Sequence, residues 1–207
     1  MDGADTLTIE IAGELSKVAR EAWDGLANPP DAPYDPFLSW DFLQALEESG
    51  CASATRGWQP AHLIARDATR QVVGAMPLYG KDHSYGEYVF DHAWADALIR
   101  AGGRYYPKLQ CAVPFTPVPG RRIFAREAAV DAALAQGAIG LAQRAGASSV
   151  HATFASAEQC ARLESLGYMR RAGLQYHWFN RGYGSFADFL ADLSSQKRKT
   201  IRRERAR

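Results

Sequence analysis

The sequence predicts an α/β layer fold with a mixed, largely antiparallel sheet flanked by helices. Segments in which apolar and polar residues alternate, as in half-buried strands, recur between segments with helical spacing of apolar residues. In the first half, two strand-like segments follow one another across a short polar turn, which is typical of an antiparallel hairpin. In the second half, strands and helices alternate. These patterns together favour a mixed sheet over a doubly wound parallel one.

The first elements are a strand and two helices. Residues 7–11 alternate apolar and polar residues and predict a strand, and residues 15–26 carry apolar residues at helical spacing. Residues 28–36 contain four prolines and must be mostly loop. Ser39 follows and is placed to cap a second helix with Leu43 on its inner face.

The hairpin comes next. Residues 62–66 and 71–79 predict two strands joined by a short polar turn. An aromatic segment over residues 85–90 is expected to be extended, and Asp91 is placed to begin a helix that runs to about Arg100 and ends at the following glycine pair.

The second half is more regular. Residues 108–113 predict a strand, and residues 114–120 contain three prolines and predict a loop. A helix of small residues is expected over residues 127–145, a strand over 148–154, and a helix over 157–166.

The last segments comprise one strand and two helices. Residues 174–179 predict a further strand, and Ser185 is placed to cap a helix that runs to Leu193, with Asp188 in the capping-box position. Ser194 is placed to cap a final, basic helix. We therefore expect one domain over residues 1–193 and a basic linker helix over residues 194–207.

Composition limits the class of protein. The 207 residues are 47% hydrophobic, which is enough for a full core. Three widely spaced cysteines predict neither a disulfide framework nor a zinc site, and the histidines show no metal spacing. No segment resembles a signal peptide or a membrane span, so we expect a cytoplasmic protein. We also expect no tightly bound cofactor.

Charge is distributed unevenly. Seven basic residues and one acid lie between Lys197 and Arg207, whereas the rest of the chain has 17 basic and 22 acidic residues. This basic segment is a candidate RNA contact, because lysine and arginine neutralise phosphates. A solvated helix that links two domains is the favoured alternative.

Several blocks of sequence resemble one known family. The segments GWQPAHLIAR, PLYGKDHSYGEYVFDHAWADAL, GGRYYPKLQCAVPFTPVPGRR and GLQYHWFNRGYGSFADFL are similar, in this order, to the FemAB-like group of GNAT (acyl-CoA N-acyltransferase) proteins. The resemblance implies a GNAT-like fold and transfer of an acyl or aminoacyl group to an amine, with peptidoglycan metabolism as the expected setting. It also implies two GNAT-like halves, so we expect this chain to be the N-terminal half and to pair with a second such domain or with another copy.

The loop PFTPVPGRR is the candidate donor site. Arginine can bind phosphate in a bidentate way, and glycine lets a phosphate approach the backbone, so acyl-CoA or aminoacyl-tRNA is the expected donor. Its prolines remove N–H donors, which leaves a purely structural loop as the alternative. The candidate donor-binding residues are Val113, Phe115, Thr116, Val118, Gly120, Arg121 and Arg122.

A second candidate region surrounds the aromatic segment. Asp91 and His92 are candidates for accepting the proton that an acceptor amine must lose. The alternative is that Asp91 only caps a helix and that His92 is an ordinary surface or core residue. Candidate substrate-binding residues are Glu87, Trp94, Tyr105, Tyr106 and Lys108, with packing as the alternative role for the tyrosines.

One departure from the resemblance leaves the activity open. The helix before LGY carries Leu163 where many GNAT enzymes have a tyrosine that acts as general acid. The sequence therefore supports an N-acyltransferase, or a non-catalytic recognition module for a cell-wall precursor or an RNA. A third hypothesis is a transcription or RNA-binding factor that uses the basic tail.

Overall fold

The computed structural model describes residues 7–206 and divides into two compact units, Met1–Arg171 and Ala172–Arg207. The first unit contains β1 (Thr8–Ala12), α1 (Arg20–Ala27), α2 (Trp40–Glu48), β2 (Gln59–Pro60), β3 (His62–Arg66), β4 (Val72–Met76), β5 (Leu78–Lys81), α3 (His92–Arg100), β6 (Lys108–Cys111), β7 (Phe124–Ala125), α4 (Ala128–Ala145), β8 (Val150–Ala152) and α5 (Ala157–Ser165). The second unit contains α6 (Phe186–Ala191) and α7 (Ser195–Arg205).

The strands form two four-stranded sheets. The first has the order β1–β3–β4–β7 and is antiparallel throughout, and the second has the order β2–β5–β6–β8 with one parallel pair, β6–β8. A mixed, largely antiparallel architecture flanked by helices confirms the predicted fold class.

The strand predicted over residues 71–79 is divided in two. Pro77 separates β4 from β5, and each of these strands belongs to a different sheet. A proline has no N–H to donate to a ladder, so pairing is interrupted there. The buried His62 stabilises the point where the chain passes from β4 to β5, because its Nδ1 accepts the Leu78 N–H at 3.2 Å. Its Nε2 donates to Glu47 at 2.7 Å.

Helices cover both faces of the sheets. The inner face of α4, including Leu134 and Ala138, packs on one side against strand residues such as Leu63. On the other side, Trp23 of α1 packs with Phe124. Close approach of α4 requires small residues, since a Cβ at Gly74 would lie 2.6 Å from Val130 Cγ1.

Other boundaries differ modestly from the prediction. Residues 15–26 form a short 3₁₀ turn, Leu15–Lys17, followed by α1. Ser39 caps α2 as predicted, and its Oγ accepts the Phe42 N–H at 3.3 Å. None of the helices in the described part of the chain is long and apolar enough to cross a bilayer.

The second unit departs from the prediction at its start. Residues 174–179 form no strand, and their large side chains, such as Leu174 and Trp178, are mostly exposed. Alternation of apolar residues was not sufficient to form a strand here, because no neighbouring strand pairs with residues 174–179. Ser185 caps α6 as predicted, whereas Ser194 precedes α7 without a side-chain capping bond.

Candidate functional site

A row of polar side chains covers one face of the second sheet. Lys81 lies directly opposite Lys108, and Tyr79 lies opposite Gln110, which in turn pairs with His151 on β8. Because side chains alternate along a strand, these residues share one face. The intervening residues, among them Leu78, Leu109 and Cys111, face α4 in the main core. The sheet therefore has one apolar face and one polar face, and most of the polar residues are also buried.

Lys108 is the centre of this polar face. Its Nζ donates to Glu87 Oε2 at 2.8 Å, to Asp91 Oδ2 at 2.9 Å and to Ser84 Oγ at 2.8 Å. The side chains of Lys108 and of both carboxylates are 0% exposed. Burying charge is expensive unless it is paired and hydrogen-bonded, and one lysine here serves two carboxylates.

Asp91 occupies the N-cap position of α3 but does not cap it. Its side chain makes no capping bond and instead accepts hydrogen bonds from Lys108 and from the Tyr105 hydroxyl, the latter at 2.7 Å. Burial opposes ionisation of this carboxyl, but these hydrogen bonds outweigh it and hold its pKa well below the usual range. Asp91 is therefore ionised and firmly held, and it is a weak base.

Glu87 differs from Asp91 in its surroundings. Burial raises the pKa of the Glu87 carboxyl above its ordinary value. The charge and hydrogen bond of Lys108 act in the opposite direction but are outweighed by burial. Lys108 and Ser84 supply no bond to the second oxygen: Glu87 Oε1 is buried without a hydrogen-bond partner in the described structure, as is Asp91 Oδ1. The two carboxylates thus carry unused acceptor capacity next to a buried lysine.

Lys81 lies beside this cluster. Its Nζ lies 3.6 Å from the centre of the Trp58 ring and donates to the Tyr85 carbonyl at 3.1 Å. Burial lowers the pKa of Lys81 to about 8, with Lys108 acting in the same direction and Glu87 opposing it. Lys81 therefore exchanges its proton much closer to neutral pH than an exposed lysine does.

His151 completes the polar face. Its ring packs edge-on against Tyr105, with ring centres 5.7 Å apart, and its Nε2 lies 3.0 Å from Ser149 Oγ. Burial, assisted by the charge of Lys108, lowers the pKa of His151 to about 4. The imidazole is consequently neutral at neutral pH.

The structure therefore brings together five of the predicted substrate-binding and catalytic residues. Glu87, Asp91, Tyr105 and Lys108 are in direct contact, and Tyr106 joins them through a 2.8 Å hydrogen bond to Ser84.

Two predicted residues lie outside this cluster. His92 is exposed at the first turn of α3, and Trp94 is 60% exposed with the Arg171 guanidinium over its ring.

The predicted donor loop is held by its own side chains. Arg122 is 1% exposed, and its guanidinium donates to the carbonyls of Thr153, Arg121 and Val118 at 2.8, 3.0 and 2.7 Å. Arg121 donates to the Leu26 carbonyl at 2.7 Å. Both guanidinium groups thus bind backbone oxygens, which gives Arg122 in particular a structural role.

The loop backbone is also engaged. The Gly120 N–H donates to the Phe154 carbonyl at 2.9 Å, and the Gly120 carbonyl accepts from the Ser156 N–H at 3.1 Å, which makes an isolated parallel bridge between Gly120 and Ala155 just after β8. The nearby N-terminus of α4 carries Glu127 and Asp131, whose charges disfavour an anion there.

The remaining residues predicted for donor binding line the same loop. Val113 is buried in the core with Trp23, and Phe115 is 40% exposed and packs against Trp58. Val118 is 40% exposed, and Thr116 is half-buried. No contact of these side chains distinguishes a donor site from a structural loop, so their predicted role stays a prediction.

A family model for FemAB-like proteins, described as peptidoglycan biosynthesis/recognition, matches residues 14–207. The chain belongs to the FemAB-like family. This confirms the family predicted from the sequence blocks. No curated protein matches the sequence significantly.

One solved acetyltransferase shares the fold of this FemAB-like chain, and a second is reported beside it as a weaker similarity. The aminoglycoside N-acetyltransferase AAC(6')-Iy, solved with CoA, has a TM-score of 0.50 at 15% identity over 87% of this chain and 99% of that chain. The aminoglycoside 6'-N-acetyltransferase AAC(6')-Ih from Acinetobacter baumannii has a TM-score of 0.47 at 17% identity over 86% and 100%. Identities this low establish the fold alone. The shared fold agrees with the architecture predicted from the sequence.

From the sequence alone, we did not identify Lys81, Ser84, Gln110 or His151 as site residues. A usable signal exists, since Lys108 and Gln110 are two residues apart in a short strand and must share a face. Only the closure of that face by residues 82–106 makes them buried. Among residues 7–206, no group of three or more histidine, cysteine or acidic side chains could hold a metal ion.

Proposed function

We propose that this chain is an N-acyltransferase of peptidoglycan metabolism that receives its acceptor amine at the polar sheet face, with Glu87 as the base. The observation that supports this most directly is the pair of unpartnered oxygens, Glu87 Oε1 and Asp91 Oδ1, buried beside Lys108. Unsatisfied buried acceptors are rare in folded proteins, and an ammonium or amine group can donate to both.

The two carboxylates have different roles in this proposal. Asp91 is fixed by Lys108 and Tyr105 and stays ionised, so it orients the acceptor and stabilises positive charge. Glu87 has a raised pKa and a free oxygen, which makes it the stronger base of the two carboxylates. His92, predicted as an alternative base, lies at the surface and is replaced by Glu87 in this role.

The reaction follows from these positions. Glu87 removes a proton from the acceptor ammonium, and the neutral amine attacks the carbonyl of the donor thioester or ester. A C–N bond forms, the tetrahedral intermediate collapses, and the thiolate of CoA or the hydroxyl of tRNA leaves. The second proton of the nitrogen is then lost to solvent or to the leaving group.

Access to the carboxylates involves the segment of residues 88–90, which lies between Glu87 and Asp91 in the chain. This segment contains neither helix nor strand, and Tyr88 and Phe90 adopt positive φ angles of 57° and 49°. Non-glycine residues in this region are strained by about 1–3 kcal/mol each, a feature that clusters at ligand clamps and switch regions. Displacement of the segment would open the polar face to an amine.

The donor is acyl-CoA or aminoacyl-tRNA in this proposal, which places the reaction in the cytoplasm. The basic helix α7, with Arg202, Arg203 and Arg205 in its last turn, is the candidate contact for RNA phosphates.

A second function is favoured by the donor loop. Because the Arg121 and Arg122 guanidinium groups bind carbonyls and α4 begins with acidic residues, this chain lacks an evident pyrophosphate cradle in its described part. In that case the chain would recognise a peptidoglycan precursor without performing transfer.

The test combines each donor with a mixture of peptidoglycan stem peptides and measures acylated product by mass spectrometry. We expect product with one donor, and a loss of about 100-fold or more in kcat for Glu87→Gln. Asp82→Asn, a change of an exposed carboxylate nearby, is the matched control and should leave kcat unchanged.

Product formation by Glu87→Gln at the original rate would rule out Glu87 as base. Tight binding of the stem peptides without product from either donor would instead establish the recognition function.

A further inference from the structure

The second unit, residues 172–207, concentrates positive charge. It carries eight basic and three acidic residues, a net charge of +5, whereas residues 1–171 carry 16 basic and 20 acidic residues. The basic side chains that lie exposed on α7 are Lys197, Lys199, Arg202, Arg203 and Arg205. A concentration of this kind indicates a partner with a negatively charged surface.

The same unit exposes large apolar side chains. Leu174 is 79% exposed, Tyr176 is 89% exposed and Phe179 is 77% exposed, and residues 174–179 form neither a helix nor a strand. Soluble proteins rarely leave a contiguous apolar surface in water, so such a surface indicates contact with another protein or with a membrane.

An aromatic cluster, formed by Trp178, Tyr183, Phe186 and Phe189, joins the apolar segment to the basic helix. Trp178 stacks on Tyr183 with ring centres 6.4 Å apart, and Phe189 meets both rings edge-on at 6.0 and 5.7 Å. Phe186 lies 5.6 Å from Phe189, and Arg205 Cζ lies 4.1 Å from the centre of the Phe186 ring. The apolar and basic side chains of the second unit are therefore connected through direct contacts.

This combination fits the surface of a bilayer better than it fits a nucleic acid. Tryptophan and tyrosine are enriched where membrane meets water, leucine and phenylalanine insert below the headgroups, and lysine and arginine pair with anionic headgroups. Nucleic-acid bases need open aromatic faces on which to stack. Trp178 and Tyr183 instead stack on each other, and the exposed Leu174 has no ring to offer.

We propose that the second unit binds the surface of a membrane that contains anionic phospholipids. Residues 174–179 insert apolar side chains among the headgroups, and the basic residues of α7 pair with the lipid phosphates. The chain lies on the membrane in this arrangement, since no helix in its described part is long and apolar enough to span one. This assigns α7 a lipid partner in place of RNA, and it does not depend on the proposed acyl transfer.

The test is flotation of the full chain with vesicles of phosphatidylcholine alone, and with vesicles of phosphatidylcholine and phosphatidylglycerol in a three-to-one ratio. We expect binding to the mixed vesicles and much weaker binding to phosphatidylcholine alone. Binding to the mixed vesicles should fall as the salt concentration rises, because salt screens the attraction between exposed charges.

Charge and apolar insertion are tested by separate variants. Lys199→Gln together with Arg203→Gln should weaken binding to the mixed vesicles by about 30-fold, or roughly fivefold for each charge lost. The matched control, Arg126→Gln together with Arg144→Gln, removes the same charge from exposed positions in the first unit and should leave binding unchanged.

Leu174→Ser together with Phe179→Ser should weaken binding by about tenfold or more, because immersion of even one such side chain is worth about that much. Tyr34→Ser changes an aromatic residue of the first unit that is similarly exposed and should leave binding unchanged.

Three outcomes would overturn the inference: no binding to either kind of vesicle, equal binding to both, or an equal loss in the Arg126 and Arg144 control. Bulk tRNA is the final probe. If it binds more tightly than the mixed vesicles, and the Leu174 and Phe179 changes leave its binding intact, α7 binds RNA and the membrane inference is wrong. Because this readout is binding without a donor, its failure is distinguishable from failure of the Glu87 assay.

Discussion

Replacing Lys108 by methionine should destabilise the folded chain by about 3–5 kcal/mol at neutral pH, the range measured when one partner of a buried ion pair is removed. The structure places this change in the upper part of that range. Lys108 Nζ bonds to two carboxylates and a hydroxyl within 2.9 Å, and the lysine and both carboxylates are fully buried. An exposed pair such as Lys17–Glu14 should contribute far less, because solvent screens it.

The assay is urea unfolding at pH 7 together with calorimetry. For a chain of this length each kcal/mol shifts Tm by about 2–4 °C, so a loss of roughly 6–20 °C is expected. Lys17→Met is the matched control and should change stability by no more than about 0.5 kcal/mol.

The pH dependence gives a second readout. Without Lys108, burial raises the pKa of both Glu87 and Asp91 above their unfolded values, so the folded chain binds protons more readily. The destabilisation should therefore shrink as the pH falls into the ordinary range of carboxylates and grow as it rises again.

A double variant isolates the cause. Adding Glu87→Gln to Lys108→Met removes one uncompensated charge and should recover at least about 1 kcal/mol relative to the sum of the single changes. A loss below about 1 kcal/mol for Lys108→Met, or strict additivity in the double variant, would refute the view that this lysine neutralises two buried carboxylates.

Two further substitutions and one labelling experiment test the fold around the site. Arg122→Lys cannot reproduce a guanidinium that donates to three carbonyls and should cost about 1–3 kcal/mol in urea unfolding; unchanged stability would contradict this role. Leu134→Ala removes a fully buried side chain from the main core and should cost about 2–5 kcal/mol by calorimetry, and a cost under about 1 kcal/mol would exclude tight packing there. Iodoacetamide should label the exposed Cys51 but spare Cys111, because burial raises the Cys111 pKa to about 12; equal labelling in native protein, read by peptide mass spectrometry, would contradict its burial.

The elements were predictable where local signals agreed. Ser39 and Ser185 both accept the hydrogen bond expected of a helix cap, and α4 and α5 begin and end close to their predicted limits. The prediction was wrong where the outcome depended on a partner strand. Residues 174–179 alternate like a strand but pair with none.

The candidate site was predictable in part. Glu87 and Asp91 were predicted as site residues because aromatic neighbours shift the pKa of a carboxyl group. Lys108 was predicted because it begins a strand after a turn. The contrast between the two carboxylates was not predictable, since it depends on which of them the Tyr105 hydroxyl reaches. The structural role of Arg122 was equally hidden, because its carbonyl partners lie up to 31 residues away.

The sequence by itself determined the fold class, the FemAB-like family and the segment that carries the acidic residues, because periodicity, capping and ordered blocks are local properties of the chain. The tertiary structure decided which polar residues became a buried cluster. Pro77 separates β4 from β5, and these two strands belong to different sheets. In the second sheet Lys81, Lys108 and Gln110 lie on one face, and residues 82–106 cover that face. Burial and pairing of charge arise from this long-range assembly, and they determine the pKa of each group and therefore the chemistry available to it.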